Sequence, residues 1–212
     1  MFSGLIREMG EVLYFRDNAL RIKCDYVARV GDSIAVNGAC LTAISIERDG
    51  FVAQLSQETQ NTIALENFTP KSRVHIEPAL RADSTLDGHI VQGHIDGVGV
   101  IESISYQKTQ SIFFISTTQD TLAYILPKGS VCVDGVSLTI GEREKNGFYL
   151  TIIPHTLKNT LFCEYKPSRK VNIETDMFVR NAYGALRAMF GDSPSLQNKA
   201  LWERIHAFEM QY

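Results

Sequence analysis

The chain has 212 residues, of which 44% are apolar and 21% charged, and its formal net charge is -3. That length suits one large globular domain or two small ones, and the balance is too apolar for disorder. No basic surplus exists to neutralise phosphates, which argues against nucleic acid as a partner, and no run approaches the ~18 apolar residues of a membrane helix.

In chain order, the opening MFSGLIREMG is interrupted by Arg7 and Glu8 too early to hold the apolar core of a signal peptide. A cytoplasmic protein is the expectation. Cys24, Cys40, Cys132 and Cys163 show no CxxC spacing, so four reduced thiols are expected. Ser33–Val36 alternates with period two and is followed by Asn37-Gly38, a dipeptide suited to a type I′ hairpin, whose two central residues need positive φ. Val74–Glu77 is again β-branched and alternating.

The pattern then returns. Ser130–Val133, Asp134-Gly135 and Val171–Glu174 repeat the same features at an offset of 97, which also aligns Leu41 with Leu138, Thr42 with Thr139, Phe51 with Phe148 and Glu77 with Glu174. The front of each repeat fits a shorter offset of 89, with Gly4, Ile6 and Gly10 falling on Gly93, Ile95 and Gly99, so the second copy carries an insertion placed in Ser105–Asp120. Many short strands with regular turn signals suggest a sandwich or small barrel, and a half this small favours closure over bare edges. The last stretch changes period. Met177–Phe190 and Leu196–Met210 read as helices, the second with Ser193 as N-cap and Pro194 at its first turn. Leu196, Ala200, Leu201, Ile205 and Phe208 line one face. Such helices serve either oligomerisation or docking on the home domain.

Several chemistries find no support. His89 and His94 are five residues apart, a spacing that makes no metal pair on a strand or a helix. No phosphate-binding loop, dinucleotide fingerprint or nucleophile elbow is present, and the Gly-rich run GHIDGVGV reads as a bent strand.

Taken together and in order, MFSG, VNGACLT, DGHIVQGHID, KGSVCVDGVSLT and IIPHT resemble the motif set of the riboflavin synthase family. The resemblance covers about residues 1–178 and includes the duplication. It implies an all-β fold with C-terminal α: two tandem six-stranded Greek-key β-barrels, at 1–87 and 88–178, followed by a helical segment at 179–212 that supports a homotrimer. It implies that each barrel binds one 6,7-dimethyl-8-ribityllumazine, with active sites shared between neighbouring subunits. It also implies association with lumazine synthase, and no cofactor or metal. Related non-catalytic lumazine or flavin binders share the fold but lose polar site residues. Ser33, Cys40, His89 and His94 are all present here.

The family's catalytic positions fall on Ser33, Cys40, His94 and Ser137. Cys40 is a candidate to activate an attacking group or to attack itself, against the alternative of a small packed residue. The equivalent of Cys40 in the second half is Ser137, so the two pockets are unequal. His94 is the candidate for proton transfer, with His89 as a brace for the inter-barrel linker. For the first lumazine the resemblance carries over Gly4, Leu5 and Ile6, Cys40, Leu41 and Thr42, and Gln54, Leu55, Ser56, Gln57, Glu58 and Thr59. For the second it carries over Gly93, His94 and Ile95, Lys128, Ser137, Leu138 and Thr139, and Ile152, Ile153, Pro154, His155, Thr156 and Leu157. Asp176 is assigned to the ribityl chain. Phe2 either covers a pocket or anchors the N-terminus. Asp134 is either a turn former or a site residue. Ser3 and Asp87 depart from the family's usual Thr and Gly.

Overall fold

The computed structural model describes residues 1–190. The first half contains strands β1 (Glu8–Arg16), β2 (Ala19–Lys23), β3 (Ser33–Val36), β4 (Ala39–Glu47), β5 (Gly50–Gln54) and β6 (Arg73–Pro78). Helix α1 (Gln57–Thr62) and a 3-10 turn at Leu65–Phe68 lie between the last two strands. The second half repeats this with β7 (Gly97–Tyr106), β8 (Ser111–Ser116), β9 (Ser130–Val133), β10 (Val136–Arg143), β11 (Gly147–Ile152) and β12 (Lys170–Thr175). It adds α2 (Gln119–Leu122), α3 (Pro154–Lys158) and a 3-10 turn at Leu161–Glu164.

Each half is a closed antiparallel barrel. The strand orders β1-β2-β5-β4-β3-β6 and β7-β8-β11-β10-β9-β12 are the same Greek key. Along β4 the residues Ala39, Leu41 and Ala43 are buried in the barrel while Thr42 and Ile44 face outward, the alternation a closed sheet demands. Bulges between Ala43 and Ser45 in β4, and between Ile140 and Arg143 in β10, bend the strands at corresponding places and help each sheet close. Ile22, Ile34, Val36, Leu41 and Phe51 fill the first interior, and Ile115, Val131, Val133, Leu138 and Phe148 the second. The extra residues of the second repeat fall in two places. One is the hairpin loop 107–110, where the first repeat has only Asp17-Asn18; the other is the segment 117–129 holding α2, where the first repeat has 24–32.

The two hairpin turns are as expected from sequence: Asn37 and Gly38 have φ of 44° and 82°, Asp134 and Gly135 of 45° and 85°. They meet tip to tip. A Cβ on Gly38 would lie 2.8 Å from the Gly135 nitrogen, and one on Gly135 would lie 2.9 Å from the Gly38 nitrogen. Around this contact runs a buried polar seam that obeys the 97-residue offset. Asn37 Oδ1 accepts from the His75 N–H (2.8 Å), and Asp134 Oδ1 accepts from the Asn172 N–H (2.7 Å). Across the seam Asn172 Nδ2 donates to the Asn37 carbonyl (2.8 Å) and its Oδ1 accepts from the Ala64 N–H (2.7 Å). His75 makes the mirrored pair: Nδ1 donates to the Asp134 carbonyl (2.7 Å) and Nε2 accepts from the Leu161 N–H (2.7 Å). Both ring nitrogens are thus committed, which sets the neutral tautomer protonated on Nδ1. Burial drives the His75 pKa down to about 4. It drives that of the wholly buried Asp134 up to about 6, although Arg169, the Asn172 N–H and the Tyr165 hydroxyl pull the other way.

Helix α4 (Met177–Phe190) covers the predicted span. Contacts divide the chain into Met1–Met177, which holds both barrels, and a second unit beginning at Phe178. The second predicted helix, with Ser193 and Pro194 at its start, lies outside the described residues. No helix among the described residues is long and apolar enough to cross a membrane.

Candidate functional site

Two short arms precede the barrels and run antiparallel to each other. The Phe2 N–H donates to the Val91 carbonyl (2.7 Å) and the Val91 N–H to the Phe2 carbonyl (3.1 Å). Phe2 is fully buried, packed with Val91, Ala35 and Cys132 in a small third cluster. Its side chain is therefore an anchor, and burying it contributes roughly 2–3 kcal/mol.

Each arm ends over the other half's β-strand. The Gly4 carbonyl accepts from the Ser137 N–H (2.8 Å), and the Gly93 carbonyl from the Cys40 N–H (2.8 Å). Both glycines are left-handed, with φ of 76° and 81°. A Cβ on Gly4 would fall 2.6 Å from the Ser137 Cβ, and one on Gly93 would fall 2.5 Å from the Cys40 Cβ. Only glycine allows so close an approach of backbone to the two side chains. Beyond the glycines, Ile6 packs against the core of the second barrel and Ile95 against that of the first.

On the outer face of the first barrel, Ser33 is paired with Thr42, which is paired in turn with Gln54. Leu41 and Leu55 point into the core, so they present only backbone to this face. Ser56 caps α1 by accepting from the Thr59 N–H (3.0 Å), and Gln57 and Glu58 are exposed in its first turn. On the second barrel Ser130 pairs with Thr139 and Ser137 with Cys132, while Leu138 and Ile152 are core residues. Ile153 precedes α3 and is exposed, as are Pro154 and His155; Thr156 is half-buried, and Leu157 packs on the core. Lys128 is exposed and left-handed at φ 68°, where the first repeat uses Gly31 at φ 93°. A lysine held there costs of order 1 kcal/mol, strain of the kind found at working sites.

The two histidines separate. His89 reaches the second barrel: its Nδ1 lies 2.7 Å from Ser137 Oγ. Its other ring nitrogen is buried and has no hydrogen-bond partner among the described residues. Burial lowers the His89 pKa, against the opposing charge of Asp176, so the ring is neutral near pH 7 and able to take up a proton. His94 is exposed beside Gly93. The structure therefore gathers Gly4, His89 and Ser137 where one arm meets its strand and Gly93 and Cys40 where the other does.

Sequence reasoning missed the groups that hold the arms. Glu77 Oε1 accepts from the Ser3 N–H and hydroxyl (2.8 Å each), and its Oε2 from the Gly4 N–H (3.1 Å). Glu174 accepts from the Gln92 N–H (2.6 Å) and the Gly93 N–H (2.8 Å). Burial raises the Glu77 pKa while these donors lower it. The signal was present, since a glutamate recurs at the end of the last strand of each repeat.

The Lumazine binding domain family model matches residues 3–79 and 92–176. A riboflavin synthase from Actinobacillus pleuropneumoniae is 36% identical over 186 residues, 84% of this chain and 86% of that protein. The riboflavin synthase of Bacillus subtilis is 37% identical over 191 residues, 86% of this chain and 88% of that one. Among solved structures, LumP complexed with 6,7-dimethyl-8-(1'-D-ribityl) lumazine superposes with a TM-score of 0.73 at 20% identity, over 82% of this chain and 99% of that one, a likeness of fold. Two identically wound barrels, each repeating the same arm-to-strand contact, and relatives of this similarity along most of both chains lead to one conclusion: the chain belongs to the riboflavin synthase family.

Proposed function

We propose that the protein is a transferase acting on two molecules of 6,7-dimethyl-8-ribityllumazine, moving a four-carbon unit from one to the other to give riboflavin and 5-amino-6-(ribitylamino)uracil. One observation carries the reading. The chain builds the same arm-over-strand contact twice but puts Cys40 at one and a Ser137–His89 pair at the other. A reaction that uses one compound in two roles needs related shapes with different groups. Holding the two heterocycles in register is then the main catalytic device.

The lumazine C7 methyl is acidic because its anion delocalises into the ring. One bound molecule loses that proton and becomes a carbon nucleophile; the other accepts attack and finally releases its four carbons. Electrons balance between the two, so the reaction needs no external redox group. His89, neutral and joined to Ser137, moves protons at the second pocket, and Cys40 and Ser33 serve the first. His94 is solvent-facing and suited to exchanging protons with water. Lys128 balances charge on a pyrimidinedione oxygen, and Asp176 tunes His89 while addressing the ribityl hydroxyls. Thr42, Gln54 and Thr139 offer hydrogen bonds to the heterocycle edges.

A homotrimer completes the sites in this reading. It is supported by a row of apolar residues on α4 (Ala182, Ala185, Leu186 and Met189), of which Leu186 is 52% and Met189 74% exposed. Association with lumazine synthase and a cytoplasmic location, in keeping with four unpaired cysteines, belong to the same proposal. Purified protein incubated with the lumazine alone produces riboflavin, followed by its absorbance and fluorescence. Binding without any turnover overturns the enzyme reading and leaves a fluorophore carrier.

A further inference from the structure

The arms cross over. Residues 1–6 lead into the first barrel yet lie on the second, with Gly4 over Ser137 and Ile6 on the second core. Residues 91–95 lead into the second barrel yet lie on the first, with Gly93 over Cys40 and Ile95 on the first core. Neither crossing is held only by the barrel it covers. The N-terminal arm is gripped by Glu77 on β6 of the first barrel, through the Ser3 and Gly4 N–H groups and the Ser3 hydroxyl. The linker arm is gripped by Glu174 on β12 of the second, through the Gln92 and Gly93 N–H groups.

We infer that Glu77 and Glu174 are crosswise positioning residues: Glu77 of the first barrel sets the Ser137 pocket, and Glu174 of the second sets the Cys40 pocket. The inference builds on the reading that these two pockets hold the substrates. Its physical core is independent of what they hold. A carboxylate that accepts from successive backbone N–H groups fixes both the position and the tilt of the peptide it grips. The gripped residue in each arm is the left-handed glycine whose carbonyl takes the pocket strand's N–H. A shift of the carboxylate is therefore handed directly to the opposite pocket. Each site is tied to the integrity of the other barrel, which suits a reaction that is unproductive with one site formed.

The test uses the full chain and needs no substrate. In Glu→Gln variants the amide places an N–H donor against a backbone N–H, so one grip is lost on each arm. Losing a charge-assisted bond of this kind opens the arm about ten-fold more often. For Glu174→Gln the expected result is Cys40 alkylation by iodoacetamide about ten-fold faster, read on the Cys40 peptide by mass spectrometry, with amide exchange at Ser137 unchanged. For Glu77→Gln it is faster exchange at the Ser137 amide with Cys40 alkylation unchanged. A merely structural role moves both readouts together, and that result overturns the proposal, as does each variant acting on its own barrel's pocket. Should either Gln variant fail to fold, Ser3→Ala removes one of three bonds to Glu77 and must shift Ser137 exchange alone and by less; no shift overturns the proposal. A crosswise pattern in a protein that does not turn over the lumazine supports the positioning role and rejects the functional reading alone.

Discussion

His75 is where one residue most sharply breaks the internal symmetry. The equivalent position in the second repeat is Asn172, and both make one donated and one accepted bond across the seam. The imidazole differs in two respects: its ring stacks near Phe162 and lies against Tyr165, and it titrates. Its folded pKa of about 4 lies below the ordinary 6.5. The neutral ring thus contributes stability that is complete above pH 6.5 and lost as pH falls towards 4. Asp134, raised from 3.8 to about 6, runs the opposite way: its contribution is complete below pH 3.8 and lost as pH rises through 6. The two act over the same range with opposite slopes. His75→Asn removes the first slope only. Urea unfolding at pH 7 and pH 4 is expected to show the variant gaining about 3 kcal/mol on the parent between the two, from one pKa unit per 1.4 kcal/mol. A stability difference that is the same at both pH values would show that the ring takes up its proton without leaving the seam.

At the scale of elements, the hairpin β3–β4 and its copy β9–β10 dominate. Each turn must be left-handed, and each glycine must also let the other turn approach. Gly135→Ala meets both demands at once, since its Cβ would strike the Gly38 nitrogen and its φ is 85°. The loss of stability expected from urea unfolding is about 2–4 kcal/mol, combining backbone strain with overpacking. A change under 1 kcal/mol would mean the tips separate freely. These hairpins were legible in the sequence because Asn-Gly and Asp-Gly carry their own conformational reason and recur at one offset. The strands Ser33–Val36 and Ser130–Val133 were legible for the same cause. The arms were only half legible. The shorter offset equated Gly4 with Gly93, but no local pattern says which barrel an arm lies on, because that choice rests on contacts with Ser137 and Cys40 far along the chain. The histidines were obscured similarly. Residues 89–94 follow neither strand nor helix, so spacing did not reveal that His89 and not His94 reaches Ser137. His75 read as an ordinary strand residue, its partner Leu161 being supplied by the other half.

At the scale of the whole molecule, α4 from Phe178 onward belongs to a unit distinct from the barrels. The exposed Leu186 and Met189 on this helix give it apolar surface to offer to other copies of the chain. Ending the chain at Asp176 is expected to reduce a sedimenting trimer to smaller species while each barrel stays folded by circular dichroism. A truncated chain that still sediments as a trimer would place the assembly surface on the barrels.

The bond between Gly4 and Ser137 also has a consequence in time. More than 130 residues separate its two ends, so Gly4, once clear of the ribosome, must wait for β10 before that bond can form. At synthesis rates of about 5–20 residues per second that interval is roughly 7–27 s. During it the arm meets first Glu77 and then Val91, while Ile6 remains without the second core on which it packs. A segment synthesised before either barrel thus makes its final contacts only after most of the second barrel exists.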